Sequence, residues 1–400
     1  MYSDDWKTPQ DELLRRCQVF QRHLTAQQID MAIIVQNADL FYLTGSIQQG
    51  MLFVPCSGEP VYCVRRDLDR ARLESALSQV VAAPSPRQLA DFVREQFGMT
   101  PETLGFELDV LPVTFYERLK RSFAEVAVKD VTPLLRRVRM IKSPFELGRM
   151  RKAADQLAVV YEAAKNTLRE GISELELSAH LELAARLAGH QGMTRMRAFN
   201  GEFYGGHVLS GAAGAHPTFC DTPLGGTGLT PAVAQGAGQR VIQANEPVII
   251  DFLGAYQGYL CDQTRTLCLG GLADELRQGY EDMVEILWHM EKIARPGVSW
   301  GHIYDSCLAL ACEMGHKDAF MGSAGAQVGF IGHGIGTEID EFPFIAKGFN
   351  DDLLEEGMTF AFEPKLVYPE LGALGIENTY LVTADGVEVL TRCPEELAVV

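Results

Sequence analysis

The sequence predicts a two-domain chain of mixed α/β class (α+β overall), with a smaller three-layer domain first and a larger domain after it. Three observations carry this. Four hundred residues exceed one average domain and suit two. Short apolar strands alternate with amphipathic helices through the first third of the chain. From Pro144 the alternation stops and two long helical patterns follow each other, which marks a change of domain.

Residues 10–28 place Leu13, Leu14, Cys17, Phe20 and Leu24 at helical spacing, so the chain opens with an amphipathic helix. MAIIVQ (31–36), MLFVPC (51–56) and PVYCVR (60–65) read as strands broken by Gly and Asn turns. Helical patterns return at 66–78, 86–96 and 112–123. No glycine-rich phosphate loop interrupts them, so this domain, residues 1–138, reads as structural or substrate-covering. The boundary lies near RMIKSPFELGRMRKAA (139–154), where Pro144 suits the first turn of a helix running to about Arg169 and stopping at Gly171. Ser173 and Glu176 form a capping box for the next helix. Residues 201–236 combine Gly and Pro with Phe, Tyr and His, a composition expected of a loop that walls a site. Beyond it come a hairpin (247–270), helices at 273–293 and 299–315, and strands at 357–368 and 375–384, completing a domain over 139–400.

A net charge of −18, from 53 acidic against 35 basic side chains, leaves no basic footprint for nucleic acid or anionic lipid. Apolar runs such as MAIIV (31–35) and PVIIDFLGA (247–255) are strand-sized, far below the roughly 20 residues of a membrane span. The polar start MYSDDWKTPQDELLRR has no signal-peptide pattern. Nine cysteines, an odd number without a CxxC, argue for reduced thiols and a cytoplasmic location.

VIIDFLGAYQGYLCDQTRT (248–266) is the most informative segment. Asp251 ends an apolar strand and Asp262 sits on the returning one. Either alone could cap a turn or pair with Arg265. A carboxylate in an apolar strand otherwise needs a metal or a partner, because desolvating it unpaired is prohibitive. GMTFAFEPKLVYPELGALGIENTYLV (357–382) repeats the paradox with Glu363 and Glu377, residues that strand interiors disfavour. His333 in GHGIG is the candidate nitrogen ligand, its glycines leaving room for a close approach by substrate or metal. Four carboxylates and one imidazole suit a pair of divalent ions.

With these motifs the chain resembles the creatinase/prolidase branch of the M24, methionine-aminopeptidase-like metallopeptidases, the pita-bread family. KSPFEL (142–147) is similar to the opening of their catalytic domain, and Asp-x10-Asp-x-Thr-Arg-Thr, GHGIG and the two glutamate strands extend the likeness over roughly 144–400. The resemblance implies a C-terminal pita-bread catalytic domain behind a creatinase/prolidase-like N-terminal domain. It puts Asp251, Asp262, His333, Glu363 and Glu377 on five metal-binding positions, with Asp262 and Glu377 bridging two ions (Mn, Co, Fe or Zn). Glu363 would also shuttle the proton to the leaving nitrogen. The resemblance further implies a homodimer.

Two departures bear on substrate. Family peptidases usually carry a second histidine where this chain has Asp340, and commonly an arginine where it has Gly375. Without that arginine, a dipeptidase that clamps a substrate carboxylate loses support. An ionised Asp340 would recognise a cationic substrate, and a protonated one would donate a hydrogen bond. His216 and His207 both offer the further loop histidine; His216, deeper in the loop and followed by Pro217, is favoured slightly. Arg195 and Arg197 could reach substrate or pair with acids. The expected reaction is hydrolysis of a C–N amide bond, by default an N-terminal Xaa-Pro bond in an aminopeptidase or dipeptidase. The alternatives are a small non-peptide amide, metal-assisted lyase chemistry, and a non-catalytic metal-containing peptide-binding protein.

Overall fold

The computed structural model describes residues 6–123, 125–202 and 205–400, and the chain divides into two compact units, Met1–Arg139 and Met140–Val400. The first unit is built on a six-stranded sheet, β1 (Met31–Ile34), β2 (Gly50–Pro55), β3 (Val61–Val64), β4 (Val80–Ala82), β5 (Thr103–Phe106) and β6 (Ala127–Asp130), in the order β4-β3-β2-β1-β5-β6. Strand alternation sends Ala32, Ile34, Leu52 and Val54 to one face and Met31, Ile33 and Phe53 to the other. On the first face pack α1 (Gln10–Ala26), α2 (Asn37–Thr44), α3 (Leu68–Glu74) and α6 (Thr132–Met140). On the second pack α4 (Leu89–Phe97) and α5 (Val113–Ser122). Three layers result. The structure adds β4, β5 and β6, which are too short and too mixed in composition to stand out as apolar runs.

The second unit opens with α7 (Pro144–Thr167) and α8 (Glu174–Leu187), each started by a capping box, Ser143 with Glu146 and Ser173 with Glu176. A four-stranded sheet follows: β7 (Gly206–Ser210), β8 (Pro247–Tyr256), β9 (Tyr259–Cys268) and the C-terminal β17 (Ala398–Val399). α7 lies on it, the Gln156 side chain accepting from the Ala255 amide at 2.8 Å. A five-stranded sheet contains β10 (Phe330–Ile335), β11 (Ile339–Ala346), β12 (Thr359–Phe362), β15 (Asn378–Val382) and β16 (Val387–Val389). The separate ribbon β13 (Lys365–Tyr368) and β14 (Gly372–Gly375) lies between β12 and β15 in sequence. Helices α9 (Asp274–Ile293) and α10 (Trp300–Glu313) supply Met283, Leu287, Ile303 and Cys307 to the core shared with Phe360, Phe362 and Tyr380.

The two strands expected at 357–368 and 375–384 are therefore each interrupted, and the interruptions fall at Glu363-Pro364 and Ile376-Glu377. Pro364 has no N–H for a ladder, so the chain leaves the sheet there. The glycines of GHGIG also have a different reason from the one expected. A Cβ at Gly332 would come 2.5 Å from the Ala361 carbonyl oxygen, and one at Gly334 would come 2.2 Å from Phe342 backbone. They admit the neighbouring strands rather than a ligand. None of the nine cysteines is in a disulfide. Among the described residues no helix is long and apolar enough to cross a membrane.

Candidate metal centre

Register brings the chemistry to one place. In the antiparallel pairs, His207 lies opposite Asp251, Asp251 opposite Thr264, and Leu253 opposite Asp262, so His207, Asp251 and Asp262 share one sheet face. On the other sheet His333 lies opposite Ala361, and Ala361 opposite Thr379. Two residues beyond these last two stand Glu363 and Glu377. Thr379 joins the sheets: its hydroxyl accepts from the Asp262 amide (2.8 Å) and donates to the Asp262 carbonyl (2.9 Å).

The five expected ligands meet, and a sixth group meets them. His333 Nε2 stands 3.7 Å from Glu363 Oε1 and 3.9 Å from both Asp262 Oδ2 and Glu377 Oε1. These gaps are too long for hydrogen bonds. They approach the spacing of donors that share one ion at about 2.0–2.2 Å each. Asp262, His333 and Glu377 each offer a ligand atom within 4.8 Å of the others, all buried. The Nδ1 of His333 lies 3.2 Å from the Gly334 carbonyl; a proton there satisfies it and leaves the Nε2 lone pair facing the carboxylates. The sixth group is the Lys365 ammonium, which donates to Glu363 Oε2, to Glu377 Oε2 at 3.1 Å and to Asp251 Oδ2 at 3.3 Å.

A metal ion suits this donor set on the structure's own terms. Glu377 Oε1 is buried with no hydrogen-bond partner among the described residues, while Glu377 Oε2 takes the Thr264 hydroxyl at 2.6 Å. An orphaned carboxylate oxygen is expensive to bury and is relieved by a cation. Burial, then the charges of Glu377 and Asp251, holds the Asp262 carboxyl well above its usual range. Burial lifts Glu363 to about 7, against the opposing pull of Lys365. Burial would lower Lys365 and His333, yet surrounding carboxylates outweigh it and raise both. The centre is short of positive charge even with the lysine inside it.

A cavity of about 520 Å³ opens onto the cluster. Six of its lining residues are acidic, Asp221, Asp251, Asp262, Asp340, Glu363 and Glu377, and neither lysine nor arginine is among them. Phe199, Phe219, Phe330 and Ile339 give it an apolar wall. Asp340 stands at the rim, 3.7 Å from His333 Nδ1, at a left-handed φ of 63° where β10 and β11 slip register. Its neighbour Glu341 points inward instead, paired with Lys142 at 3.0 Å and accepting the Thr337 and Glu338 amides.

Other sequence expectations fare differently. His207 lines the cavity, buried, with burial lowering its pKa against the pull of Asp251. His216, the favoured candidate, is exposed, its Nδ1 3.2 Å from the Ala212 carbonyl, and lies outside the lining. Neither Arg195 nor Arg197 lines the cavity: the Arg195 carbonyl accepts from the Ile339 amide, and the buried Arg197 faces Glu338 at 3.9 Å. Arg265 pairs with neither aspartate and spends its donors on backbone and Asn378. Lys365 went unnoticed in the sequence, although its place two residues after Glu363 put it on the same face.

Fold and donor set together define a class, and comparison with known proteins agrees. Residues 148–384 match metallopeptidase family M24, and residues 16–141 match the creatinase/prolidase N-terminal domain. The chain belongs to the M24 metallopeptidases: it is a metal-dependent hydrolase of C–N bonds with a pita-bread catalytic domain. Among its relatives, an Xaa-Pro dipeptidase of Pyrococcus horikoshii is 26% identical over 372 residues, 92% of this chain and 94% of the relative. An Xaa-Pro dipeptidase of Lactobacillus delbrueckii subsp. lactis is 25% identical over 389 residues, 95% of this chain and 97% of the relative. The solved Xaa-Pro dipeptidase from Bacillus anthracis superposes with a TM-score of 0.82 at 24% identity, over 97% of this chain and 100% of that one. The X-Pro aminopeptidase from Thermotoga maritima gives 0.79 at 21%, over 96% and 99%. At those identities the two structures speak for the fold alone.

Proposed function

We propose that the chain removes the N-terminal residue from short peptides of Xaa-Pro type, as an aminopeptidase rather than a carboxylate-clamping dipeptidase. The observation that carries this is the cavity lining outside the metal centre, where Asp221 and Asp340 remain and neither lysine nor arginine is among the lining residues. A free substrate ammonium finds carboxylates there, with Asp340 at the rim. A free C-terminal carboxylate finds no cationic partner among the lining residues, and position 375 is glycine. The apolar wall suits a proline ring, and the volume falls in the range of small-ligand sites.

The donors, oxygen and nitrogen mixed, suit Mn, Co, Fe or Zn. A divalent ion held by Asp262, His333 and Glu377 supplies Lewis acidity toward a carbonyl and water. The protein does the rest. Glu363, beside the ion site, is placed to accept a proton and hand it to the leaving nitrogen. His207, buried and held neutral in the wall, offers a ring nitrogen to the substrate. Asp340 fixes the amino end, and Phe330 and Ile339 offer the substrate an apolar side.

The same acidic wall favours a second reading, a small cationic amide that is not a peptide. A screen separates the two: Mn²⁺-loaded protein with Xaa-Pro di- and tripeptides, the same peptides N-acetylated, and acylated small amines, read by mass spectrometry. Cleavage of tripeptides that N-acetylation abolishes is expected. Turnover confined to dipeptides would overturn the aminopeptidase reading, and turnover confined to the amines would establish the second.

A further inference from the structure

We propose that Lys365 is a built-in cation: its ammonium stands where a second divalent ion would, so the centre holds one ion, on the Asp262–His333–Glu377 side.

The centre divides into two halves. In one, His333 Nε2 stands 3.7–3.9 Å from Asp262 Oδ2, Glu363 Oε1 and Glu377 Oε1 without a hydrogen bond to any of them. In the other, Asp251 Oδ2, Glu363 Oε2 and Glu377 Oε2 converge on the Lys365 nitrogen. Both glutamates thus turn one oxygen to each half, as they would between two cations. Asp251, one of the five positions that the resemblance gives to metal, spends its Oδ2 on the ammonium. An ammonium and a dication cannot share these acceptors without direct repulsion.

The lysine is built in rather than passing through. Its side chain is 0% exposed. Lys365 lies directly opposite Gly375 in the β13–β14 ribbon, and a Cβ at 375 would come 2.8 Å from Lys365 Cγ. The bare glycine leaves room for the Pro364 carbonyl, 2.5 Å from where a Cβ would stand, and for the lysine stem beside it. Charge points the same way. The buried ammonium already meets Asp251, Glu363 and Glu377, which leaves less negative charge to hold a second dication.

The inference goes beyond the proposed function and does not depend on which amide is cleaved. Its test is a count. Full-length protein, stripped with chelator, is reloaded with excess Mn²⁺, desalted, and analysed by elemental mass spectrometry and electron paramagnetic resonance. The wild type is expected to hold one Mn²⁺ per chain with the spectrum of an isolated ion. K365A, shown folded by circular dichroism, is expected to hold two, a twofold rise, with a spin-coupled spectrum. Two ions in the wild type, none in the wild type, or a single ion in folded K365A would each overturn the inference. If K365A does not fold, the wild-type count decides. Two ions would leave the hydrolase reading standing, whereas one ion bound without any peptide or amide turnover would sink that reading and leave this one.

Discussion

Replacing Arg265 by methionine removes a guanidinium that places Glu377 without touching substrate. All five of its donors are used: Nε to the Pro394 carbonyl (2.7 Å), Nη1 to Thr264 (2.8 Å) and Glu377 (2.7 Å) carbonyls, Nη2 to Asn378 Oδ1 (2.8 Å) and the Cys393 carbonyl (2.9 Å). The residue is 2% exposed, and Thr264, Glu377 and Asn378 are no more so. Methionine fills much of the volume but leaves these acceptors unpaired, at about 1–3 kcal/mol for each one that cannot relax or find water. If half of them recover, the loss is about 4 kcal/mol, in line with about 3–5 kcal/mol for breaking a buried charged network from one side. For a unit of this size that lowers the melting temperature by about 8–16 °C. R265K, with three donors in place of five, should fall between. The assay is differential scanning calorimetry of chelated protein, since a bound ion would mask part of the loss. A melting temperature for R265M within 2 °C of wild type would refute the reasoning.

Further outcomes are expected. Folding raises the Glu363 carboxyl from the ordinary value of about 4.3 to about 7, so between those values the metal-free folded state holds a proton that the unfolded chain has lost. The metal-free protein therefore loses stability as pH rises through that window, and Asp262, also raised, acts with the same sign. Mn²⁺ competes with those protons, so its stabilising shift should be larger at pH 7.5 than at pH 5 by calorimetry; the reverse order would contradict the assignment. Steady-state kinetics of His207→Ala should show kcat/KM lower by roughly 100-fold, while His216→Ala stays near wild type; equal losses would return His216 to candidacy. Lys142→Met removes the ammonium that stands 3.0 Å from the inward Glu341 carboxylate, and chemical denaturation should show a loss of about 3 kcal/mol.

The candidate ligands stood out in the sequence because carboxylates intruding on apolar strands have few physical excuses, and because GHGIG and the Asp-x10-Asp hairpin have definite spacings. Both domains were legible from periodicity. The register of a third strand was not. His207 and His216 look alike as loop histidines, and only the pairing of Gly206–Ser210 with β8 puts one opposite Asp251 and leaves the other outside. Arg197 and Glu338 lie far apart in the chain, so nothing local announces their contact. Lys365 is the instructive miss. Its parity with Glu363 was visible, but lysine on a strand ordinarily reads as a solvated surface charge. Its burial goes with the carboxylates of Asp251, Glu363 and Glu377, which come together only in the fold.

Amide hydrolysis by this chain requires a divalent ion in the centre that contains Asp262, His333 and Glu377. Turnover of an Xaa-Pro tripeptide by chelator-stripped protein, measured as Mn²⁺ is returned stepwise, tests it most directly. No cleavage is expected at zero metal, with activity rising with bound ion to a plateau and His333→Ala needing roughly 10-fold more Mn²⁺ to reach half of its own maximum. Full activity in protein shown to contain no divalent ion would contradict it.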